Sequence, residues 1–392
     1  MTRIPPAIWV LGFVSLLMDV SSELIHSLLP VFLLVELGAS ALAIGLIEGV
    51  AESTALVVKV FSGTLSDYLG RRKALAVAGY GLGALSKPFF ALAPGASMVF
   101  AARFADRVGK GIRGAPRDAL VADLTPAEVR GGAYGLRQAL DTLGAFFGPL
   151  LAMGLMLLWS NDFRAVFWVA VVPGFLAVGL LAFGVRDPDP ATRGPRRNPV
   201  DWRAAGRLGP RFWWIVGIGA AFSLARFSEA FLVLRVQQAG LPLAWVPLVL
   251  VAMNGVYAAS AYPFGDLADR GRHSRLLVAG LAVLVAADGV LAWGDSWQSL
   301  APGVALWGLH LGMTQGLLAA MVADAAPVDL RGTAFGVFNL ACGMALLVAS
   351  AAAGLLWDRF GASVPFLVGG GVALLALALV LVADARGSAR RR

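Results

Sequence analysis

The chain has 392 residues, of which 58% are hydrophobic and only 14% are charged, and its formal net charge is +8. A soluble domain carries about 25% charged residues, so this composition excludes an ordinary soluble protein and indicates one that crosses a membrane many times. The basic residues lie in short gaps between apolar segments, which argues against a nucleic-acid-binding face.

Twelve apolar segments are long enough to cross a bilayer, which requires about 20 residues each. One or more arginines follow each even-numbered segment and the other gaps carry almost none, so the positive-inside rule places the arginine-bearing gaps and both termini in the cytoplasm. A stretch rich in proline, glycine and arginine at 186–211 predicts a cytoplasmic linker between an N-terminal half, 1–185, and a C-terminal half, 212–392. The predicted spans are 7–35, 42–66, 73–94, 97–121, 132–158, 163–185, 212–236, 242–264, 275–294, 299–323, 333–356 and 362–383.

Two sequence features recur about 200 residues apart, which indicates an internal duplication. The segment 63–72, at the end of the second span, has a counterpart at 265–272, at the end of the eighth. The segment 121–135, after the fourth span, has a clearer counterpart at 322–336, after the tenth. The sequence therefore predicts an all-α membrane protein of two pseudo-symmetric six-helix halves, with transport expected near the midplane between them.

Three motifs give the chain a resemblance to transporters of the major facilitator superfamily, and closest to drug or metabolite:proton antiporters. Residues 63–73 resemble the loop signature between helices two and three, and 107–114 resemble the arginine signature of helix four, with Lys110 where glutamine is usual. Residues 144–149 resemble the antiporter motif of helix five, although Ala152 stands where that motif has glycine. The resemblance implies twelve helices and alternating access to a central cavity.

The repeated segments also carry candidate gating residues. Gly63 permits a close approach of two helices, Asp67 lies where it can accept from helix N-terminal amides, and Arg71 or Arg72 can pair with Asp123. The resemblance implies that such contacts latch the cytoplasmic side. The predicted gating set is Gly63, Asp67, Arg71 and Asp123 in the first half, and Gly265, Asp269, Arg272 and Asp324 in the second.

Charged residues at membrane depth are the candidates for ion coupling. Asp19, Glu23 and His26 are spaced i, i+4 and i+7, which places them on one stripe of a helix. We predict that Asp19 and Glu23 carry protons and that Arg107, from a basic stripe on span four, is their switched partner. Asp141 on span five is deep enough to join the relay. The alternative is that these charges only form structural pairs.

The predicted substrate-binding residues come from both halves. Span ten lacks the basic stripe of span four, so ion coupling is expected in the first half and a mixed apolar and polar wall in the second. Lys87, beside Pro88, is interpreted as a snorkelling or kink-associated residue, and Asp288 on span nine has no assigned role. The predicted substrate-binding set is His26, Glu52, Lys110, Arg226, Glu229, Asn254, Tyr257 and His310.

The sequence thus predicts a secondary transporter of a bacterial inner membrane, not an enzyme, that exports a small organic molecule in exchange for protons. No cofactor, resident metal or nucleic-acid partner is expected; the partners are the substrate, protons and the lipid bilayer, and the protein is expected to be a monomer. Three alternatives stay open: a divalent metal exporter that uses Asp19, Glu23 and His26 as ligands, proton-coupled uptake, and a membrane sensor that transports nothing.

Overall fold

The computed structural model describes residues 4–69, 71–186, 206–269, 273–327 and 330–389, apart from the side chains of residues 64, 67–69, 127, 268, 269 and 382–389. Over these ranges the regular structure is helical. The helices before the linker are α1 Pro6–His26, α2 Leu29–Val31 with a π-helical turn at Phe32–Glu36, α3 Ala41–Leu69, α4 Arg72–Leu92, α5 Ala96–Asp123, α6 Arg130–Leu158 and α7 Phe163–Gly184. Those after it are α8 Pro210–Ala225, α9 Ala230–Gln238, α10 Pro247–Asp269, α11 His273–Trp293, α12 Trp297–Ala325, α13 Arg331–Phe360 and α14 Val364–Ala389.

Every predicted span coincides with one of these helices or with a broken pair of them. Within the described ranges, 11 helical segments are long and apolar enough to cross a membrane. The fourth predicted span forms the 28-residue helix α5, but its charged residues set it apart from those 11. Twelve crossings and cytoplasmic termini therefore stay predictions. Many large apolar side chains are exposed, for example Phe183 at 93% and Leu158 at 70%, as expected of a surface solvated by lipid.

The contacts between residues divide the chain into two units. The first contains residues up to 37 and residues 50–201, and the second contains residues 38–49 and those from 202 onward. The division after residue 201 falls inside the predicted linker, of which 187–205 lie outside the described residues. The grouping of residues 38–49 with the second unit was not predicted from the sequence.

Each unit has the same internal pattern of helix packing. In the first, α1 packs on α6 and α7, while α4 packs on α5 and α7. In the second, α8 packs on α13 and α14, while α11 packs on α12 and α14. The helices therefore correspond in chain order, which agrees with the duplication predicted from the sequence. Each unit has a buried apolar cluster, which includes Met18 and Tyr80 in the first and, between α8, α12 and α13, Phe212 and Phe338 in the second.

The first span of each half is broken at a corresponding point. α1 ends at His26, and Pro30 in the first turn of α2 has no N–H to continue the α1 ladder. α8 ends at Ala225, and α9 begins at Ala230, whose N–H donates to the Ser228 hydroxyl over 3.2 Å. A helix that ends inside a span leaves its last carbonyl groups without intrahelical donors, so each break provides polar backbone groups within an apolar region.

Glycines set the distance between α4 and α5. A β-carbon on Gly79 would lie 2.7 Å from the Arg113 amide nitrogen and 2.8 Å from the Gly109 carbonyl oxygen. A β-carbon on Gly109 would in turn lie 2.6 Å from the Gly79 carbonyl oxygen. These contacts are with backbone, which cannot rotate away. The two helices therefore approach as closely as small residues allow, as is common between membrane helices.

We expect Gly79→Ala to destabilise the protein, because the added methyl group must separate α4 from α5. Overpacking of this kind costs about 1–3 kcal/mol. Gly81→Ala on the same helix is the matched control, since nothing lies within 4 Å of its added β-carbon. The melting temperature of the detergent-solubilised protein should fall for Gly79→Ala and stay the same or rise for Gly81→Ala. Equal melting temperatures would show that α4 and α5 are not in close contact here.

Candidate functional site

The acidic stripe of α1 lies against the glycine motif of α6. A β-carbon on Gly144 would lie 3.0 Å from the Asp19 β-carbon, and one on Gly148 would lie 3.0 Å from the Glu23 β-carbon. The backbone of α1 is close as well, because the same position at Gly144 is 2.5 Å from the Leu16 carbonyl oxygen. The motif that resembles the antiporter signature therefore lets α1 approach α6 closely at the two predicted proton carriers.

The three members of the α1 stripe are half-buried, but their surroundings differ. His26 Nδ1 lies 3.2 Å from Glu23 Oε2, so these two side chains form a pair at the end of α1. Asp19, among the residues that the structure describes, makes neither a hydrogen bond nor an ion pair. Its electrostatic neighbours are Asp141, Lys110, Arg113 and Glu23. Asp19 is thus a carboxyl group near several charges without a direct partner.

The basic stripe of α5 faces Glu52 of α3. Arg107 Nη2 lies 2.9 Å from Glu52 Oε1, and Arg103 Nη2 lies 3.8 Å from the same oxygen. Both arginines are buried, whereas the Lys110 side chain on the same helix is exposed. The predicted partners of Arg107 were Asp19 or Glu23, whereas its ion-pair partner in the structure is Glu52. Glu23 stays within electrostatic reach of Arg107 and Lys110.

A buried ion pair joins α4 to α5. Lys87 Nζ lies 2.8 Å from Asp106 Oδ1 and donates to the Ser22 hydroxyl of α1 over 3.0 Å. The two side chains are 2% and 4% exposed, so the prediction that Lys87 snorkels was wrong, because its counter-ion Asp106, the residue before Arg107, lies across the helix interface. Its predicted association with a kink at Pro88 stays a prediction.

Asp141 is held between two arginines. Arg117 of α5 and Arg137 of α6 each place an Nη1 atom 3.3 Å from Asp141 Oδ1. Arg117 also donates to the Ser15 hydroxyl of α1 over 3.2 Å. This network links α1, α5 and α6, and the charge of Asp141 acts on Asp19. Its predicted part in proton transfer stays a prediction.

Removal of one member of the Lys87–Asp106 pair should destabilise the protein strongly. Asp106→Leu leaves the Lys87 ammonium group buried without its counter-charge, which costs about 3–5 kcal/mol. The double variant Lys87→Met/Asp106→Leu removes both charges and should recover most of that loss. Thermal unfolding of the purified variants measures both effects. A double variant as unstable as Asp106→Leu alone would contradict this account of the pair.

In the second unit, the predicted substrate residues lie around the break between α8 and α9. Arg226 and Glu229 are half-buried within the break itself. Tyr257 donates to Gln315 Oε1 over 3.2 Å, and Asn254 lies one turn earlier on α10. His310 is buried, stacks on Phe222 with ring centroids 5.8 Å apart, and donates from Nδ1 to the Gly280 carbonyl oxygen over 2.8 Å. Their roles in binding stay predictions.

The gating residues are described only in part. Arg72 pairs with Asp123, whereas Arg71 is exposed, so the first of the two options for this contact was the wrong one. A β-carbon on Gly63 would lie 3.4 Å from the Ala115 β-carbon, which places α3 against α5. No atom lies within 4 Å of the corresponding position at Gly265. Asp324 is exposed, while Asp269, Arg272 and the side chain of Asp67 lie outside the described residues.

Comparison with protein families gives the same assignment as the motifs and the duplicated packing. The family model described as Major Facilitator Superfamily matches residues 11–347 and, in a second alignment, 248–392. The chain belongs to the major facilitator superfamily. The resemblance stated from the three motifs is confirmed, and the chain is a membrane transporter of that family rather than a member of an enzyme family.

Several relatives carry the names of transport or drug-resistance proteins. An uncharacterised MFS-type transporter of Methanocaldococcus jannaschii is 32% identical over 384 residues, which cover 95% of this chain and 94% of the relative. The inner membrane transport protein YajR of Escherichia coli is 24% identical over 383 residues, covering 96% and 82%. The quinolone resistance protein NorA of Staphylococcus aureus is 27% identical over 185 residues, covering 47% and 46%.

Solved structures agree on the fold. The nucleoside transporter NupG superposes with a TM-score of 0.80 over 96% of this chain and 99% of NupG, at 12% sequence identity. At that identity the likeness extends to the fold and not to the substrate.

Proposed function

We propose that this protein is a proton-coupled transporter of a bacterial inner membrane, with twelve spans and cytoplasmic termini, that exports a small organic molecule by alternating access. The observation that carries the proposal is the contrast between Asp19 and the acids around it. Glu23, Glu52, Asp106 and Asp141 each have a basic partner within 3.3 Å, whereas Asp19 has none in the described structure.

An unpaired carboxyl group at this depth suits proton carriage. A carboxylate without a partner is expensive to bury, and binding one proton removes its charge. Charges of both signs, those of Asp141, Lys110 and Arg113, act on Asp19. Asp19 can therefore change its proton occupancy as its access to water changes, which is what alternating access requires.

The second unit supplies the features that suit an organic substrate. Arg226 and Glu229 place opposite charges at the break between α8 and α9, and Tyr257 and Gln315 add polar groups nearby. Such a mixed lining suits a partly apolar molecule that carries a polar or charged group. Export is favoured by the α6 glycine motif and by relatives named for quinolone and multidrug resistance.

The test is dissipation of a pH gradient in inside-out membrane vesicles. The panel contains a quinolone, a lipophilic cationic dye, a nucleoside, organic acids and divalent metal salts. Export by proton exchange predicts that at least one organic class collapses the gradient in vesicles with the protein and not in vesicles without it. A rise of the gradient with substrate would instead identify symport, and no response to the organic classes would count against the proposal.

A divalent metal exporter is the second candidate. It is favoured by the contact between Glu23 and His26, which brings two of the three predicted ligands together. If metal is the cargo, the gradient should collapse with Mn²⁺ or Zn²⁺, and His26→Ala should abolish that response. His26→Ala should leave the response to an organic substrate detectable.

A further inference from the structure

Asp288 is a buried acid that the proposed coupling site does not use. It lies on α11 with only 1% of its surface exposed, and neither carboxyl oxygen has a hydrogen-bond partner among the described residues. No basic group among the described residues forms an ion pair with it. A carboxylate in such a position is costly, so a physical reason is needed for an acid here.

Asp288 faces a gap between α14 and the end of α8. The position that a β-carbon of Gly369 would occupy is 3.2 Å from Asp288 Oδ2, 3.0 Å from the Ala225 carbonyl oxygen and 3.1 Å from the Phe227 ring. A β-carbon on Gly370 would lie 3.3 Å from the Asp288 β-carbon. The two glycines therefore leave room for the carboxyl group beside the broken helix.

The Ala225 carbonyl group, which borders this gap, receives no hydrogen bond from its own helix. α8 ends at Ala225, so the Ala225 carbonyl is among the last four of that helix, which have no intrahelical N–H donor. An ionised Asp288 can only accept hydrogen bonds, and so can the carbonyl oxygen. A protonated Asp288 carries an O–H group that can donate to that carbonyl, so one proton satisfies both groups.

Three charged or titratable groups of the surrounding helices, those of Arg235, His310 and Tyr257, are engaged elsewhere. Arg235 of α9 donates to the carbonyl oxygens of Leu291 and Gly294, over 2.9 and 2.8 Å, at the end of α11. His310 of α12 donates to Gly280, and Tyr257 of α10 donates to Gln315. Arg226 follows Ala225 directly but makes no ion pair with Asp288 in the described structure. On α14, Gly369 and Gly370 lie against Asp288.

We propose that Asp288 is a second proton-binding site, confined to the C-terminal unit, in which the protonated carboxyl group donates to the Ala225 carbonyl oxygen and holds the broken end of α8 against α11 and α14. Loss of the proton replaces this hydrogen bond with repulsion between a carboxylate and a carbonyl oxygen. The end of α8 and the adjoining Arg226 then have to move. A metal cation is a poorer occupant, because hard cations take six or more oxygen ligands and the gap offers two oxygen-bearing groups.

The experiment is infrared spectroscopy of the purified full-length protein in lipid, which detects the C=O stretch of a protonated carboxyl group and needs no substrate. At neutral pH the wild-type spectrum should contain such a band that Asp288→Asn lacks. Asp295→Asn, at an exposed acid, should retain it. The band should be the same in sodium and in choline buffer. Absence of a difference between wild type and Asp288→Asn, or loss of the band in sodium, would overturn the proposal.

A second pair of variants tests the partner of the proton. Gly369→Ala fills the gap and should weaken the hydrogen bond to Ala225, so the C=O stretch should shift to higher frequency. Gly371→Ala, with nothing within 4 Å of its added β-carbon, should not shift it. An unchanged band in Gly369→Ala would remove the Ala225 contact from the account. Because none of these readouts depends on transport, failure here is distinguishable from failure of the proposed export function.

Discussion

Asp19→Asn is expected to abolish proton-driven transport while it leaves substrate exchange across the membrane intact. Asparagine keeps the size and polarity of the side chain but cannot bind or release a proton, so the carrier can still change its orientation without coupling. In vesicles with an imposed pH gradient, substrate accumulation should fall about tenfold or more, which corresponds to about 1.4 kcal/mol of lost driving force. Exchange of labelled for unlabelled substrate, with no gradient, should continue at a similar rate.

The control is Glu128→Gln, which neutralises an exposed acid of the same half. It should leave both accumulation and exchange unchanged. Accumulation by Asp19→Asn at the wild-type level would remove Asp19 from the coupling mechanism. Loss of exchange together with accumulation would show that Asp19 is needed for folding or binding, and not specifically for coupling.

Gly144→Leu is expected to stop transport by displacing α1 from α6. The added side chain would begin at a point 2.5 Å from the Leu16 carbonyl oxygen and 3.0 Å from the Asp19 β-carbon, so α1 has to move. Overpacking costs about 1–3 kcal/mol of stability. The larger consequence is functional, because Asp19 leaves its position beside Asp141 and Lys110. Gradient-driven accumulation and exchange should both be lost.

Gly154→Leu on the same helix is the matched control, since Gly154 is exposed and nothing lies within 4 Å of its added β-carbon. That variant should transport as the wild type does. Both variants should be quantified in the membrane first, so that transport is compared per molecule of inserted protein. Wild-type transport by Gly144→Leu would mean that the glycine motif does not position Asp19.

The order and limits of the helices were predictable because lipid requires long apolar helices, and the charged gaps between them are conspicuous. The predicted span 97–121, for example, became α5, Ala96–Asp123. The duplication was predictable as well, because motifs that recur at one sequence offset imply that the helices of the two halves pack in the same order. The two units have that common packing order. The interruption between α1 and α2 can be predicted from the sequence, because Pro30 removes a backbone hydrogen-bond donor. The break at 226–229 contains no proline or glycine, so its cause lies in packing and capping that the sequence does not display.

The candidate site was predicted less well, because a helical stripe shows which charges share a face but not which helix that face meets. Asp19, Glu23 and His26 do lie on one stripe, yet the partner of Arg107 is Glu52 on another helix. Lys87 and Asp106 are 19 residues apart, on two helices that approach closely at Gly79 and Gly109. The isolation of Asp288 was evident in the sequence, but its position beside Gly369 and the end of α8 required the structure.

The most direct test of the central claim is proton release from the purified transporter on addition of substrate, followed with a pH indicator in weakly buffered detergent solution. The substrate is whichever organic compound collapses the gradient in vesicles. The account predicts that substrate displaces a proton from the wild-type protein and that Asp19→Asn binds the same compound without releasing one. Equal proton release from wild type and Asp19→Asn would contradict it, because the coupled proton would then reside on another group.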